Sequence, residues 1–136
     1  MGADSSERDG IVECLRQKLD ERPGIVFACL HGSFAGAGPY RDIDIAVWLD
    51  PTHVTPGERA RYALDLATHL TLELRAPVDV QALNDASLAF RYHALAGRPL
   101  LVRDRDFFDD VRARTWDEYF DFLPFARQYL QDVLSA

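Results

Sequence analysis

GIVFACLHGSFAGAGPYRDIDIAVWLD, residues 24–50, is the stretch from which the rest of the chain can be read. Residues 25–30 form a continuous apolar run of strand length, which predicts a strand buried on both faces. It ends at His31-Gly32-Ser33, and the glycine-rich segment 34–41 that follows has room for one helical turn and a bend. Neighbouring parallel strands need a crossover of a dozen or more residues, so this strand and the next are expected to pair antiparallel. The second strand, about 42–49, alternates strictly. Ile43, Ile45, Val47 and Leu49 fall on one face, and Asp42, Asp44, Ala46 and Trp48 on the other. Aspartate is depleted in strands, so two of them at i and i+2 call for a cause, and a divalent metal is the simplest.

Outward from this stretch, helices and strands alternate. Ile11, Val12, Leu15 and Leu19 recur at helical spacing and predict a helix over 7–21, with Asp4 or Ser5 as its cap and Pro23-Gly24 as its stop. Thr55-Pro56-Gly57-Glu58 is a helix start with a capping box and Pro at the first position, and the helix runs to about Leu74. Residues 78–83 alternate as a half-buried strand. A helix between this strand and the second implies a right-handed crossover and a parallel pair, which brings Asp79 near Asp44. Asn84-Asp85 opens a further helix over 86–96, and Pro99 to Val102 is a short apolar piece. From Phe107 onward the pattern is helical and rich in aromatic residues, with Pro124 expected to break or kink it. The fold class is α/β (α+β): a small mixed sheet flanked by helices, in one domain spanning 1–136 with a helical tail over 106–136.

Composition narrows the function. A net charge of -7 disfavours a protein that grips nucleic acid through its phosphates. No run of about 18 apolar residues exists to cross a membrane, and the first residues lack the pattern of a signal peptide, so a cytoplasmic address is expected. Cys14 and Cys29 have no metal-ligand spacing and read as reduced core residues.

The chemistry rests on few residues. Asp42, Asp44 and Asp79 would share one face of two adjacent strands, an oxygen-rich set suited to magnesium. Three carboxylates so close make sense only with a cation present. Gly32 and Ser33 begin a turn whose backbone N–H groups and hydroxyl can hold a phosphate. Together they describe metal-dependent nucleotide chemistry. In such chemistry a metal ion activates an attacking oxygen and neutralises charge on the leaving phosphate. Asp79 can also accept the proton. His31 reads as a strand-end residue, and Asp104 and Asp106, set among Arg103 and Arg105, as a solvated loop.

A strand ending in Gly-Ser, a turn, an Asp-x-Asp strand and a third carboxylate on the next strand together resemble the DNA polymerase beta-type nucleotidyltransferase fold. Within that superfamily, HGSFA, GPYRDIDIAVWLD, VDVQALN and PLLVRD are most similar to the minimal nucleotidyltransferase (MNT) antitoxins paired with HEPN-domain toxins. The resemblance implies two magnesium ions, ATP as substrate and a hetero-oligomer with a HEPN toxin. It further implies transfer of AMP to a toxin hydroxyl, a tyrosine. One departure stands out: eight residues separate Ser33 from Asp42, against about ten in such antitoxins, and the Arg expected after Ala35 is missing. An alternative from another class is an antitoxin that silences its toxin by occlusion. Transfer to a small molecule such as an aminoglycoside is disfavoured, since the chain has no second domain to hold one.

Overall fold

The computed structural model describes residues 5–36, 38 and 40–135. Helix α1 (Ser5–Asp20) leads into strand β1 (Ile25–His31), a 3-10 turn (Ser33–Ala35) and β2 (Ile43–Leu49). A second 3-10 turn (Pro56–Glu58) starts α2 (Arg59–Leu74), which is followed by β3 (Val78–Ala82), α3 (Leu88–Leu95), β4 (Arg98–Val102) and α4 (Arg105–Ser135). The expected capping of α1 by Asp4 and the place of Pro39 in the glycine-rich segment lie outside the described residues.

The four strands lie in the order β3-β2-β1-β4. β1 pairs antiparallel with β2, as the short connection demands, and β2 pairs parallel with β3 across the α2 crossover. The alternation of β2 divides the core. On one face Ile43, Ile45, Val47 and Leu49 pack with Leu15 and Leu19 of α1 and Leu66 and Leu70 of α2. On the other, Ala46 joins Phe27, Cys29, Leu95 of α3 and Phe108 of α4, with Trp48 stacked 5.9 Å from Phe27. Burial pushes the Cys29 thiol up to about 12, so it stays protonated among apolar neighbours.

The structure departs from the sequence expectations in four places. Residues 98–102, too short to assign as a strand from sequence, form β4 because β1 supplies their hydrogen-bonding partner. Helix α3 starts after Ser87, whose Oγ accepts from the Phe90 N–H at 3.2 Å, and not at Asn84-Asp85. Asn84 instead bonds the backbone of Leu49 twice: its Oδ1 accepts from the Leu49 N–H and its Nδ2 donates to the Leu49 carbonyl, both at 3.0 Å. The third departure concerns the break or kink expected at Pro124: no break occurs, and Pro124 lies inside one continuous helix, α4. Proline removes one backbone donor and crowds the preceding turn, and here Phe122 and Phe125 on either side are exposed, which leaves the helix room to adjust. Finally, Asp106, expected with Asp104 in a solvated loop, lies in the first turn of α4, while exposed Asp104 just before it accepts from the Phe107 N–H at 3.0 Å.

Because Asn84 satisfies both polar groups at the end of β2, Asn84→Ala leaves two half-buried backbone groups without their partner. The expected outcome is a loss of about 1–3 kcal/mol in urea denaturation, against a change within about 0.5 kcal/mol for the exposed Asp65→Ala.

Candidate active site

Three strands end in one row of side chains. Asp44, the second residue of β2, is the direct cross-strand partner of His31, the last residue of β1. On its other side it is in register with Asp79, the second residue of β3. Direct partners project to the same face, so an imidazole and two carboxylates stand side by side at one end of the sheet. Asp42 is exposed and lies just before β2, two residues from Asp44. Its charge and that of Asp79 both act on Asp44.

Gly32 makes room for this row. Its φ of 72° is in the region that favours glycine, and a Cβ built there would stand 2.3 Å from Oδ2 of Asp44. The absent side chain lets the backbone before Ser33 lie directly against the carboxylate. Ser33 follows as an exposed residue at the start of the 3-10 turn.

Burial holds the Asp44 carboxyl above its ordinary value; His31 opposes this, while Asp79 and Asp42 reinforce it. Burial likewise holds His31 below its ordinary value, against the pull of Asp44 and Asp79. The ring is therefore neutral at pH 7. Phe90 of α3 packs edge-on against it at 5.3 Å. His31, read from sequence as a strand-end residue, is thus part of the row, and only the β1–β2 register reveals it.

Among the described residues no group of three Asp, Glu, His or Cys side chains forms a ready-made metal cage. What is present is a set of mutually repelling carboxylates with one imidazole beside them, in which the oxygens, the majority, suit a hard cation. From Asp79 a cavity of ≈470 Å³ extends between β3 and α2, lined by Ala60, Ala63, Ala67, Val80 and Gln81. A second cavity, ≈400 Å³, lies at the opposite end of the sheet by Gly24 and Tyr62 and includes none of these residues.

With this geometry in hand, comparison with known proteins is decisive for the family. The sequence profile described as Polymerase beta, Nucleotidyltransferase matches residues 13–106. The chain belongs to the polymerase beta nucleotidyltransferase family. The matched residues include Gly32, Ser33, Asp42, Asp44 and Asp79, and end as α4 begins. Comparison with curated protein sequences gives no match. Among solved structures, a chain in a toxin-antitoxin structure with AMP-PNP is 26% identical, with a TM-score of 0.67 over 95% of this chain and 98% of that one. A chain in a complex of the tri-AMPylated Shewanella oneidensis HEPN toxin with MNT antitoxin is 24% identical, with a TM-score of 0.70 over 95% and 99%. A third, in the MntA-HepT toxin-antitoxin structure, is 21% identical, with a TM-score of 0.69 over 94% and 99%. The mixed sheet flanked by helices is the polymerase beta-like nucleotidyltransferase fold.

Two outcomes test the row. Gly32→Ala meets both backbone strain and the Asp44 carboxylate, whereas a Cβ on Gly36 meets nothing nearer than 3.7 Å. In denaturant melts Gly32→Ala should lose about 1–3 kcal/mol, and Gly36→Ala should stay within about 0.5 kcal/mol of the parent. The second outcome follows from linkage. A carboxyl whose folded pKa is raised opposes folding once ionised, at pH above that value, and ceases to do so below its ordinary value of 3.8. In EDTA, Asp44→Asn should therefore melt no lower than the parent at pH 7, and any advantage should vanish as pH falls below 3.8.

Proposed function

We propose that this chain is an antitoxin that transfers AMP from ATP to a hydroxyl, a tyrosine side chain, of a HEPN-type RNase toxin and so neutralises it. The observation that carries the chemistry is the register that places Asp44 between His31 and Asp79, against the side-chain-free face of Gly32. The likeness to a chain of a toxin-antitoxin structure with AMP-PNP, at 26% identity over nearly the full length of both, supports the nucleotide and the partner. The reduced state of Cys14 and Cys29 suits a cytoplasmic protein. No helix among the described residues is long and apolar enough to cross a membrane.

In this reading Gly32 and Ser33 hold the phosphates through backbone N–H groups and the Ser33 hydroxyl. Asp42, Asp44 and Asp79 would hold one magnesium ion and Asp42 and Asp44 a second, supplying neutralisation of charge at the acceptor oxygen and at the leaving pyrophosphate. The acceptor oxygen attacks the α-phosphorus as the bond from that phosphorus to pyrophosphate breaks, and the hydroxyl proton passes to Asp79. The products are an AMP ester of the toxin and pyrophosphate. The acceptor enters from the β3 side, where the cavity opens at Asp79.

The partner is recognised by α4. Trp116 and Tyr119 are half-buried, with Tyr119 stacked on Tyr92 of α3 at 3.9 Å, so they belong to the body of the protein. Further along, Phe122, Phe125, Tyr129 and Leu134 are exposed. This apolar surface is what a helical partner would cover.

Occlusion without chemistry is the competing reading, and the eight-residue spacing from Ser33 to Asp42 favours it. Catalysis and occlusion differ in stoichiometry. The chain is titrated against its toxin's RNase activity with ATP and magnesium, alongside the Asp42→Asn/Asp44→Asn double variant. Neutralisation by the parent at well below equimolar amounts, with the variant needing at least equal amounts and the toxin gaining the mass of AMP, is the expected result. Equal potency of parent and variant would leave occlusion.

A further inference from the structure

Arg8 stands on α1, far in sequence from every residue named in the chemistry, yet it is 9% exposed and its guanidinium grips the turn that follows Ser33. Nη1 donates to the carbonyls of Phe34 and Gly36, both at 2.8 Å, and Nη2 donates to that of Gly38. The same guanidinium lies over the rings of Phe34, at 5.1 Å, and Tyr40, at 4.8 Å, which themselves meet edge to face. Few local forces fix a glycine-rich segment, since glycine loses the most conformational freedom on ordering. Arg8 supplies from outside what that sequence lacks.

The direction of the grip matters. Helix α1 packs on the sheet face that buries Ile43 and Ile45, while His31, Asp44 and Asp79 project to the other. Carbonyls drawn toward Arg8 turn the negative ends of their peptide dipoles away from the carboxylate row. The Ala35 N–H, across the peptide from the gripped Phe34 carbonyl, donates to the Gly32 carbonyl at 3.2 Å and closes the turn on which Ser33 stands. The carbonyls of Gly32, Phe34, Gly36 and Gly38 are thus already paired within the protein, and less free to turn toward a phosphate bound at Gly32-Ser33. The guanidinium reaches the three carbonyls from two nitrogens while its flat face lies over Phe34 and Tyr40, a combination that an ammonium, with its three donors on one nitrogen, does not reproduce.

We propose that Arg8 is a positioning residue that sets the turn to receive the nucleotide's phosphates. This inference rests on the nucleotide-transfer reading above, but its test separates the two. Arg103 provides the control: it also clamps carbonyls, those of Ile25 and Asp20, at the far end of β1 from the carboxylates. Calorimetric binding of magnesium-AMP-PNP is compared for the full chain and for Arg8→Lys, Arg8→Met and Arg103→Lys, with melting temperatures measured in parallel and ATP KM and kcat measured with the toxin. Because the turn would hold the phosphates alike in ground and transition states, Arg8→Lys should weaken nucleotide binding and raise KM by about tenfold or more, with kcat within about threefold. Arg103→Lys should lower the melting temperature and leave nucleotide affinity unchanged. A cavity of ≈240 Å³ beside Arg8 leaves room for the shorter side chains, so overpacking is no obstacle to folding. Unchanged nucleotide affinity in Arg8→Lys, or an equal loss in Arg103→Lys, overturns the proposal, as does a parent chain that binds no nucleotide. A parent that binds nucleotide but transfers nothing overturns the transfer reading and leaves the role of Arg8 to the binding data.

Discussion

Everything at the functional end of this molecule depends on the register of β2. Its side chains alternate between two filled faces, so a slip of one residue would drive Asp44 into the layer of Leu15, Leu66 and Leu70 and carry Ile43 and Ile45 out of it. Burying an ionised carboxylate and exposing two isoleucines together cost several kcal/mol, so the slipped pairing does not compete. The same apolar pattern that builds the core thereby fixes where the carboxylates stand. Position at the site is inherited from packing at the centre.

Repulsion within the row is the cost of that arrangement. Asp42, Asp44 and Asp79 raise one another's electrostatic energy, and Asp44 is the most enclosed of the three, being half-buried where Asp42 and Asp79 are exposed. The sheet tolerates this because the row sits at its end, where water still reaches, and because the hydrophobic layers lie deeper. Such tension is characteristic of sites in which function, rather than stability, selected the residues.

Much of this was legible in the sequence, for physical reasons that can be named. The antiparallel pairing of β1 with β2 followed from a connection too short to cross over, and the parallel pairing of β3 from a connection the length of a helix. Asp42, Asp44 and Asp79 were visible because aspartates are out of place in strands, and Gly32-Ser33 because the turn follows a buried run. Illegible were the features created only by tertiary contact. β4 exists as a strand because β1 lies beside it, and Asn84 binds Leu49 across 35 residues of chain. Arg8 is one of fifteen basic residues and carries no local mark of its burial. Pro124 shows the opposite case: a local rule that favours a break is not followed on a stretch where Phe122 and Phe125 are exposed and the helix has room to adjust.

The exposed end of α4 has a consequence for how the protein can change. Its last buried residue is Thr115, and past Tyr119, which stacks on Tyr92 of α3, the residues described are exposed or half-buried. Substitutions there and substitutions in the carboxylate row share no partners, so their effects on folding should add independently. The far end of α4 can therefore vary in sequence while the end of the sheet keeps its geometry and the fold its stability.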